Sequence, residues 1–219
     1  MEVKICGITN SVDAQAAVDC GADALGFIFH APSPRYVSPE EAKGIIDSLS
    51  GNPVCKVGVF VNQKALLVKE ITSYCGFDLV QLHGDESPEY CRSFPALKLI
   101  KAVSPRGAED LKSLDEYAVR SFLIDSRCRG LYGGTGKTCD WGLAAMIARV
   151  KPLILSGGLG PENLEEAIRN VSPLAVDICS GVESAPGIKD HGKMRMAVEK
   201  VRAIHDSPQG SRVIYKRNF

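Results

Sequence analysis

The chain has 219 residues, 45% hydrophobic and 24% charged, and its 26 Lys and Arg balance 26 Asp and Glu to a formal net charge of zero. That balance excludes a general electrostatic pull toward nucleic acid or an anionic membrane, so any bound anion must be met by local groups. No apolar run approaches the roughly 18 residues of a membrane-spanning helix, and Met1 leads almost directly into a strand with no secretory signal ahead of it. A cytoplasmic location, or an organelle stroma after processing, is the expectation. The eight cysteines, Cys6, Cys20, Cys55, Cys75, Cys91, Cys128, Cys139 and Cys179, include no C-x-x-C pair. Their spacing argues against a structural zinc site and leaves most of them as small packing residues.

Short apolar runs recur along the chain at Val3 to Ile8, Ala24 to Phe29, Val57 to Val61, Leu79 to Leu82, Leu97 to Val103, Ser121 to Ile124, Leu153 to Leu155 and Ala175 to Ile178. Continuous rather than alternating hydrophobicity marks parallel strands covered on both faces. Helical patterns separate them. Ser38-Pro39-Glu40-Glu41 combines a capping serine, proline at the first helical position and acids in the first turn, and Ser87-Pro88-Glu89 and Gly160-Pro161-Glu162-Asn163 repeat the device. Cys20-Gly21 and Cys75-Gly76 are stops, since glycine takes the left-handed conformation that ends a helix. Eight such units suit a single (β/α)8 TIM barrel, which needs about 200 to 250 residues, here over residues 1–206. A doubly wound open sheet is the alternative, although no G-x-G-x-x-G follows the first strand. Residues 207–219 lose apolar periodicity and are expected to form a flexible C-terminal extension.

In such a barrel the residues just after each strand face one mouth, where catalytic groups collect. Cys6-Gly7 closes the first strand; a thiol there is either reactive or a small buried hydrophobe. Arg35 follows the second strand in Pro32-Ser33-Pro34-Arg35-Tyr36, and its guanidinium could grip a carboxylate bidentately or be an ordinary surface charge. Asn62 follows the third strand, and Gln81-Leu82-His83-Gly84-Asp85 the fourth, with His83 read as a lining residue. Asp125 ends the sixth, where burial would raise its pKa toward the range of a general acid. Cys6 would accept a proton if nearby positive charge or helix N-termini lowered its pKa from about 8.5. An acid and a base on opposite sides of one mouth would constitute an isomerase; a buried thiol and a capping aspartate are the other reading. Ser156-Gly157-Gly158-Leu159 and Ser180-Gly181-Val182-Glu183, with Asp177 just before the latter, form either a phosphate cradle or two tight turns. Gly133-Gly134-Thr135-Gly136-Lys137-Thr138 is not a P-loop, because Leu131 stands where the first glycine is required. It lies in a long connection, Arg127 to Asp140, that is either a lid over the mouth or an open loop.

Taken in order, Lys4-Ile5-Cys6-Gly7-Ile8-Thr9, Ser33-Pro34-Arg35-Tyr36, Gly58-Val59-Phe60-Val61-Asn62, Gln81-Leu82-His83-Gly84-Asp85, Gly133-Gly134-Thr135-Gly136, Asp140-Trp141, Ser156-Gly157-Gly158-Leu159, Asp177-Ile178-Cys179-Ser180-Gly181 and Pro186-Gly187-Ile188-Lys189-Asp190 resemble the phosphoribosylanthranilate isomerases of tryptophan biosynthesis. The resemblance spans about residues 3–204. It implies a cofactor-free Amadori rearrangement of a small phosphorylated substrate, by a monomer or homodimer with no nucleic-acid or membrane partner. It further implies Asp125 as general acid, Cys6 as general base, Arg35 on the substrate carboxylate, and Gln81, His83 and Asp177 lining the sugar. Gly157, Gly158, Ser180 and Gly181 would hold the phosphate, and no metal is required. Two departures stand out: the family often has phenylalanine in place of Cys139 and serine in place of Cys179. The enzyme alternative is the histidine-pathway sugar-phosphate isomerase, which the resemblance gives aspartate at both acid and base positions. A non-catalytic phosphate-ligand sensor on the same barrel is the other.

Overall fold

A computed structural model describes residues 1–105, 107–125, 141–204 and 213–215. The strands are β1 (Glu2–Cys6), β2 (Ala24–Ile28), β3 (Cys55–Phe60), β4 (Leu79–Leu82), β5 (Leu99–Val103), β6 (Ser121–Asp125), β7 (Leu153–Ser156) and β8 (Ala175–Ile178). They pair in parallel, in chain order, and β8 returns to β1 to close the barrel. Lys4 lies opposite Ala24 of β2 on one side and Asp177 of β8 on the other. An open sheet has no such β1–β8 ladder, so closure decides between the two architectures the sequence allows.

The helices α1 (Ser11–Asp19), α2 (Pro39–Ser48), α3 (Ala65–Cys75), α4 (Pro88–Cys91), α5 (Trp141–Ala148), α6 (Leu164–Val171) and α7 (His191–Ile204) occupy the connections. Their ends follow from local chemistry. The Ser38 hydroxyl accepts the Glu41 N–H at 3.2 Å while the Glu41 carboxylate accepts the Ser38 N–H at 2.8 Å. Such a reciprocal cap stabilises a helix start by about 1 kcal/mol. Gly76 ends α3 at φ 72°, a conformation that costs a side-chain-bearing residue more than glycine. Between β5 and β6 the chain makes 3-10 turns, Ala108–Glu116, rather than an α-helix. Leu111 and Leu114, three apart, share one face at that period, and Leu114 is buried.

Side chains alternate along each strand. Val3, Ile5, Leu25, Phe27, Phe122 and Leu155 point outward into one core with residues of the helices, such as Ala14, Val68, Ile147, Ala167 and Val198. Residues of the other parity, including Ala24, Val57, Leu79, Ile100, Leu123 and Ile154, fill the barrel itself. Ile214 and Tyr215 belong to this inner group and are only 2% and 3% exposed. The reading of 207–219 as a flexible surface extension therefore does not hold for these residues. Val213-Ile214-Tyr215 is one apolar triplet in a polar tail, too short to show a period but sufficient to bury two large side chains. Among the described residues no helix is long and apolar enough to cross a membrane.

Candidate active site

The mouth is built on inward-facing residues at the carboxyl ends of the strands. Cys6 ends β1 and is 5% exposed. One layer below it the Lys4 ammonium is wholly buried and donates to Asp177 Oδ1 at 2.9 Å. Burial opposes the Lys4 charge, but Asp177 and Cys6 outweigh it and hold this lysine protonated. Space for both side chains comes from Gly26 on β2, where a Cβ would stand 2.7 Å from Cys6 Sγ and 2.9 Å from Lys4 Cε. A hydrogen bond with Cys179 does most to bring the Cys6 pKa from 9.0 to about 7; burial works against it, and the Lys4 charge adds to it. The Cys179 thiol, chiefly through the same bond, is held far above its ordinary value and keeps its proton. The outcome is a single shared arrangement, a Cys6 thiolate receiving a hydrogen bond beside a buried cation.

Asp125 ends β6, three strands around the ring from β1, with its side chain 34% exposed. His83 Nε2 stands 3.9 Å from Asp125 Oδ2, beyond direct hydrogen-bond range. The Gln81 amide donates to His83 Nδ1 at 2.9 Å, which leaves the ring proton on Nε2, facing Asp125. Burial holds the His83 imidazole below its ordinary pKa despite the Asp125 carboxylate, so the ring is neutral at pH 7. Gln81 is 1% exposed, and among the described residues no donor reaches its Oε1. The loop carrying His83 is fixed from outside: Glu86 accepts the N–H groups of Asn62 and Gly84, and the buried Lys101 ammonium donates to Glu86 at 3.0 Å.

Arg35 has a partner the sequence reading does not assign. Its Nε and Nη2 donate to Glu183 Oε1 and Oε2 at 2.8 and 2.6 Å. These bonds raise the arginine's pKa still further and, with Lys189, hold the Glu183 carboxyl below its ordinary range although burial opposes that. Two of the five guanidinium N–H groups are used, so the opposite edge still presents donors to a second carboxylate. Lys189 is also buried, and its ammonium donates to Glu183 Oε1 at 2.9 Å and to the Cys6 and Cys179 carbonyls at 2.6 and 3.3 Å. It ties the end of β1 to the residue after β8 through the carbonyls of the two cysteines.

Gly157 and Gly158 turn the chain after β7 at φ 96° and 66°. Ser180–Val182 is a single 3-10 turn after β8, and the next α-helix, α7, begins only at His191, beyond a hairpin of β9 (Glu183–Ala185) and β10 (Ile188–Lys189). A Cβ on Gly181 would lie 2.0 Å from the Leu159 carbonyl oxygen, so the two glycine loops are in backbone contact. Asp177 is 3% exposed and sits below this rim, with the Ser156 hydroxyl donating to its carbonyl at 3.2 Å. The Arg127 to Asp140 connection lies outside the described residues.

Lys4, Glu183 and Lys189 escape a motif reading because their roles depend on contacts across the chain. Lys4 does carry a signal, a lone cation inside the apolar run Val3–Ile8 and in phase with Cys6.

A family model described as N-(5'phosphoribosyl)anthranilate (PRA) isomerase matches residues 3–200. The N-(5'-phosphoribosyl)anthranilate isomerase of Syntrophus aciditrophicus is 57% identical over 201 residues, 92% of this chain and 87% of that protein. That of Geobacter metallireducens is 47% identical, covering 93% of this chain and all of its own length. The solved phosphoribosyl anthranilate isomerase from Thermotoga maritima superposes with a TM-score of 0.83 at 43% identity, covering 93% of this chain and 99% of that one. A second solved isomerase, in complex with reduced 1-(o-carboxyphenylamino)-1-deoxyribulose 5-phosphate, gives 0.81 at 41% identity, covering 93% and 99%. A closed barrel with a thiolate-stabilising mouth, matched over nearly its whole length, places this chain in the N-(5'-phosphoribosyl)anthranilate isomerase family.

Proposed function

We propose that this chain converts N-(5-phosphoribosyl)anthranilate to 1-(2-carboxyphenylamino)-1-deoxyribulose 5-phosphate, with Asp125 as general acid and Cys6 as general base. The Cys6 environment supports the assignment: a hydrogen bond from Cys179 first, and the buried Lys4 ammonium with it, bring its pKa to about 7 against burial, where a base is needed at neutral pH. Asp125 gives its proton to the furanose ring oxygen, the ring carbon–oxygen bond breaks, and the nitrogen lone pair forms an iminium at C1. Cys6 takes the proton from C2, and the electrons of that C–H bond form the C1–C2 double bond of an enolamine. Tautomerisation moves a proton from the enol oxygen to C1; Cys6 then releases its proton to solvent and Asp125 takes one up, so the cycle closes with no net proton change. Substrate seated over the half-exposed Asp125 excludes water from the proton transfer.

The other assignments follow the geometry. Arg35, held by Glu183, presents its outer edge to the anthranilate carboxylate. Gln81 offers its Oε1 to a sugar hydroxyl or the bridging amine, and His83 donates from Nε2 near Asp125. Asp177 acts from below, through Lys4. Backbone N–H groups around Gly157, Gly158, Ser180 and Gly181 receive the phosphate. The test is turnover by the purified protein without added metal or nucleotide, followed as loss of substrate fluorescence. Cys6→Ser and Asp125→Asn should each slow it by about 10²- to 10⁴-fold with the fold intact. Binding of the phosphorylated ligand without turnover would sink the catalytic reading and leave a sensor.

A further inference from the structure

The barrel floor, opposite the mouth, holds a polar clamp that the isomerase reaction does not use. Glu2, at the start of β1, is 6% exposed, and its carboxylate accepts the backbone N–H groups of both Ile214 and Tyr215, the latter at 3.1 Å to Oε1. From the other side Arg120 donates its Nε to the Ile214 carbonyl at 2.6 Å and Nη2 to that of Val213 at 3.3 Å. A buried carboxylate and a guanidinium thus grip successive backbone groups of one short segment, a form of recognition that does not depend on its side chains. Side-chain selectivity comes from the space above. Barrel interiors are ordinarily packed with bulky branched residues. Here four strands begin their inward rows with small residues, Ala24, Cys55, Ser121 and Ala175, and Ile214 and Tyr215 pack among the inner-barrel residues beside Leu79, Ile100 and Ile154.

From this arrangement we infer that the N-terminal floor of the barrel is a docking site for the chain's own C-terminal segment, with Glu2 and Arg120 clamping the backbone of Val213–Tyr215 and the Tyr215 ring completing the lowest interior layer. Connectivity supports docking within one chain. Arg202, in the last turn of α7, donates to the Met1 and Gly21 carbonyls at 2.6 and 2.8 Å, so this helix ends beside the floor. The stretch from Ile204 to Val213 reaches up to about 30 Å, twice the ~15 Å width of an eight-stranded barrel with strands ~4.8 Å apart. The family model ends at residue 200, so this closure belongs to the extension rather than to the shared barrel.

Amide hydrogen exchange on the full-length protein tests the assignment directly. The Ile214 and Tyr215 amides should exchange at least about 10³-fold more slowly than in an unstructured peptide. Glu2→Gln should speed both by tenfold or more. Tyr215→Ala should lower the Tm by about 10 °C, the effect of emptying an aromatic site in a chain this long. Tyr215→Phe should leave the Tm nearly unchanged, because no described residue pairs with the phenol oxygen. Unprotected amides, or an unchanged Tm in Tyr215→Ala, would overturn the proposal. Protection that disappears on hundredfold dilution would also overturn it, by assigning the seated tail to a second copy.

Discussion

The Cys179 thiol should set the pH at which this enzyme becomes active. Cys179→Ala removes the largest influence lowering the Cys6 pKa and leaves burial, which raises it, opposed by Lys4. The whole descent from 9.0 to about 7 corresponds to a roughly hundredfold change in the ionisation equilibrium. With a pKa of about 7, Cys6 is half ionised at pH 7. Recovery of one unit would leave about 9% thiolate, and of two units about 1%, so activity at pH 7 should fall between about fivefold and fiftyfold. The assay is kcat/KM for phosphoribosylanthranilate from pH 5.5 to 9.5, whose acid limb reports the base of the free enzyme. The limb should move up by about one to two units in the variant, and the two profiles should converge at the alkaline end. Cys179→Ser retains a hydroxyl donor and should keep the limb near 7. An unmoved limb in Cys179→Ala, or a deficit equally large at pH 9.5, would refute the reasoning, since only a geometric defect is independent of pH.

Gly26→Ala should press on Cys6 Sγ and Lys4 together, lowering kcat tenfold or more, as measured in steady state; a normal kcat would show that the pair has room to spare. In Gly181→Ala the added Cβ meets backbone at 2.0 Å and must part the two glycine loops. The KM for the phosphorylated substrate should rise at least tenfold while kcat at saturation changes less, and an unchanged KM would remove these loops from phosphate binding. Glu183→Gln leaves the buried Lys189 ammonium without its counter-charge, a change that costs about 3 kcal/mol. Calorimetry should show a Tm about 10 °C lower, and a raised KM should follow as Arg35 loses its anchor. Folded-state pKa values of Glu183 and Asp13 are depressed, Asp13 by hydrogen bonds from Lys189, His191 and Asn10 that overcome burial. Their contribution is therefore fully present above the unfolded carboxylate values of about 4 and is lost as pH falls through the lower folded ones. The difference in unfolding free energy between wild type and Glu183→Gln isolates the Glu183 carboxylate: it should hold steady from about pH 7 down to about pH 5 and shrink below about pH 4; a difference that grows as pH falls would contradict this sign.

Strand positions, helix caps and the mouth residues were legible in the sequence because each is a local property. Val3–Ile8 reads as a buried parallel strand from its composition, Ser38-Pro39-Glu40-Glu41 as a helix start from its hydrogen-bonding capacity, and Cys6 and Asp125 as mouth residues from their places at strand ends. The phase of each strand, once set, also fixes which residues face inward together: Glu2, Lys4 and Cys6 on one strand, Ala175 and Asp177 on another. What no local reading supplies is a partner far along the chain. Only barrel closure puts Lys4 against Asp177 and Cys6 beside Cys179, and so brings the thiol's pKa to about 7. Only the β9–β10 hairpin delivers Lys189 to the carbonyls of both cysteines and sets Glu183 against Arg35. The tail marks the same boundary, since Val213-Ile214-Tyr215 has no period of its own and its burial depends on Glu2 at the opposite end of the chain. Sequence determined which groups are available and on which face of each element they lie; tertiary structure decided their ionisation and their contacts, because electrostatic and packing energies depend on distance in space rather than on separation along the chain.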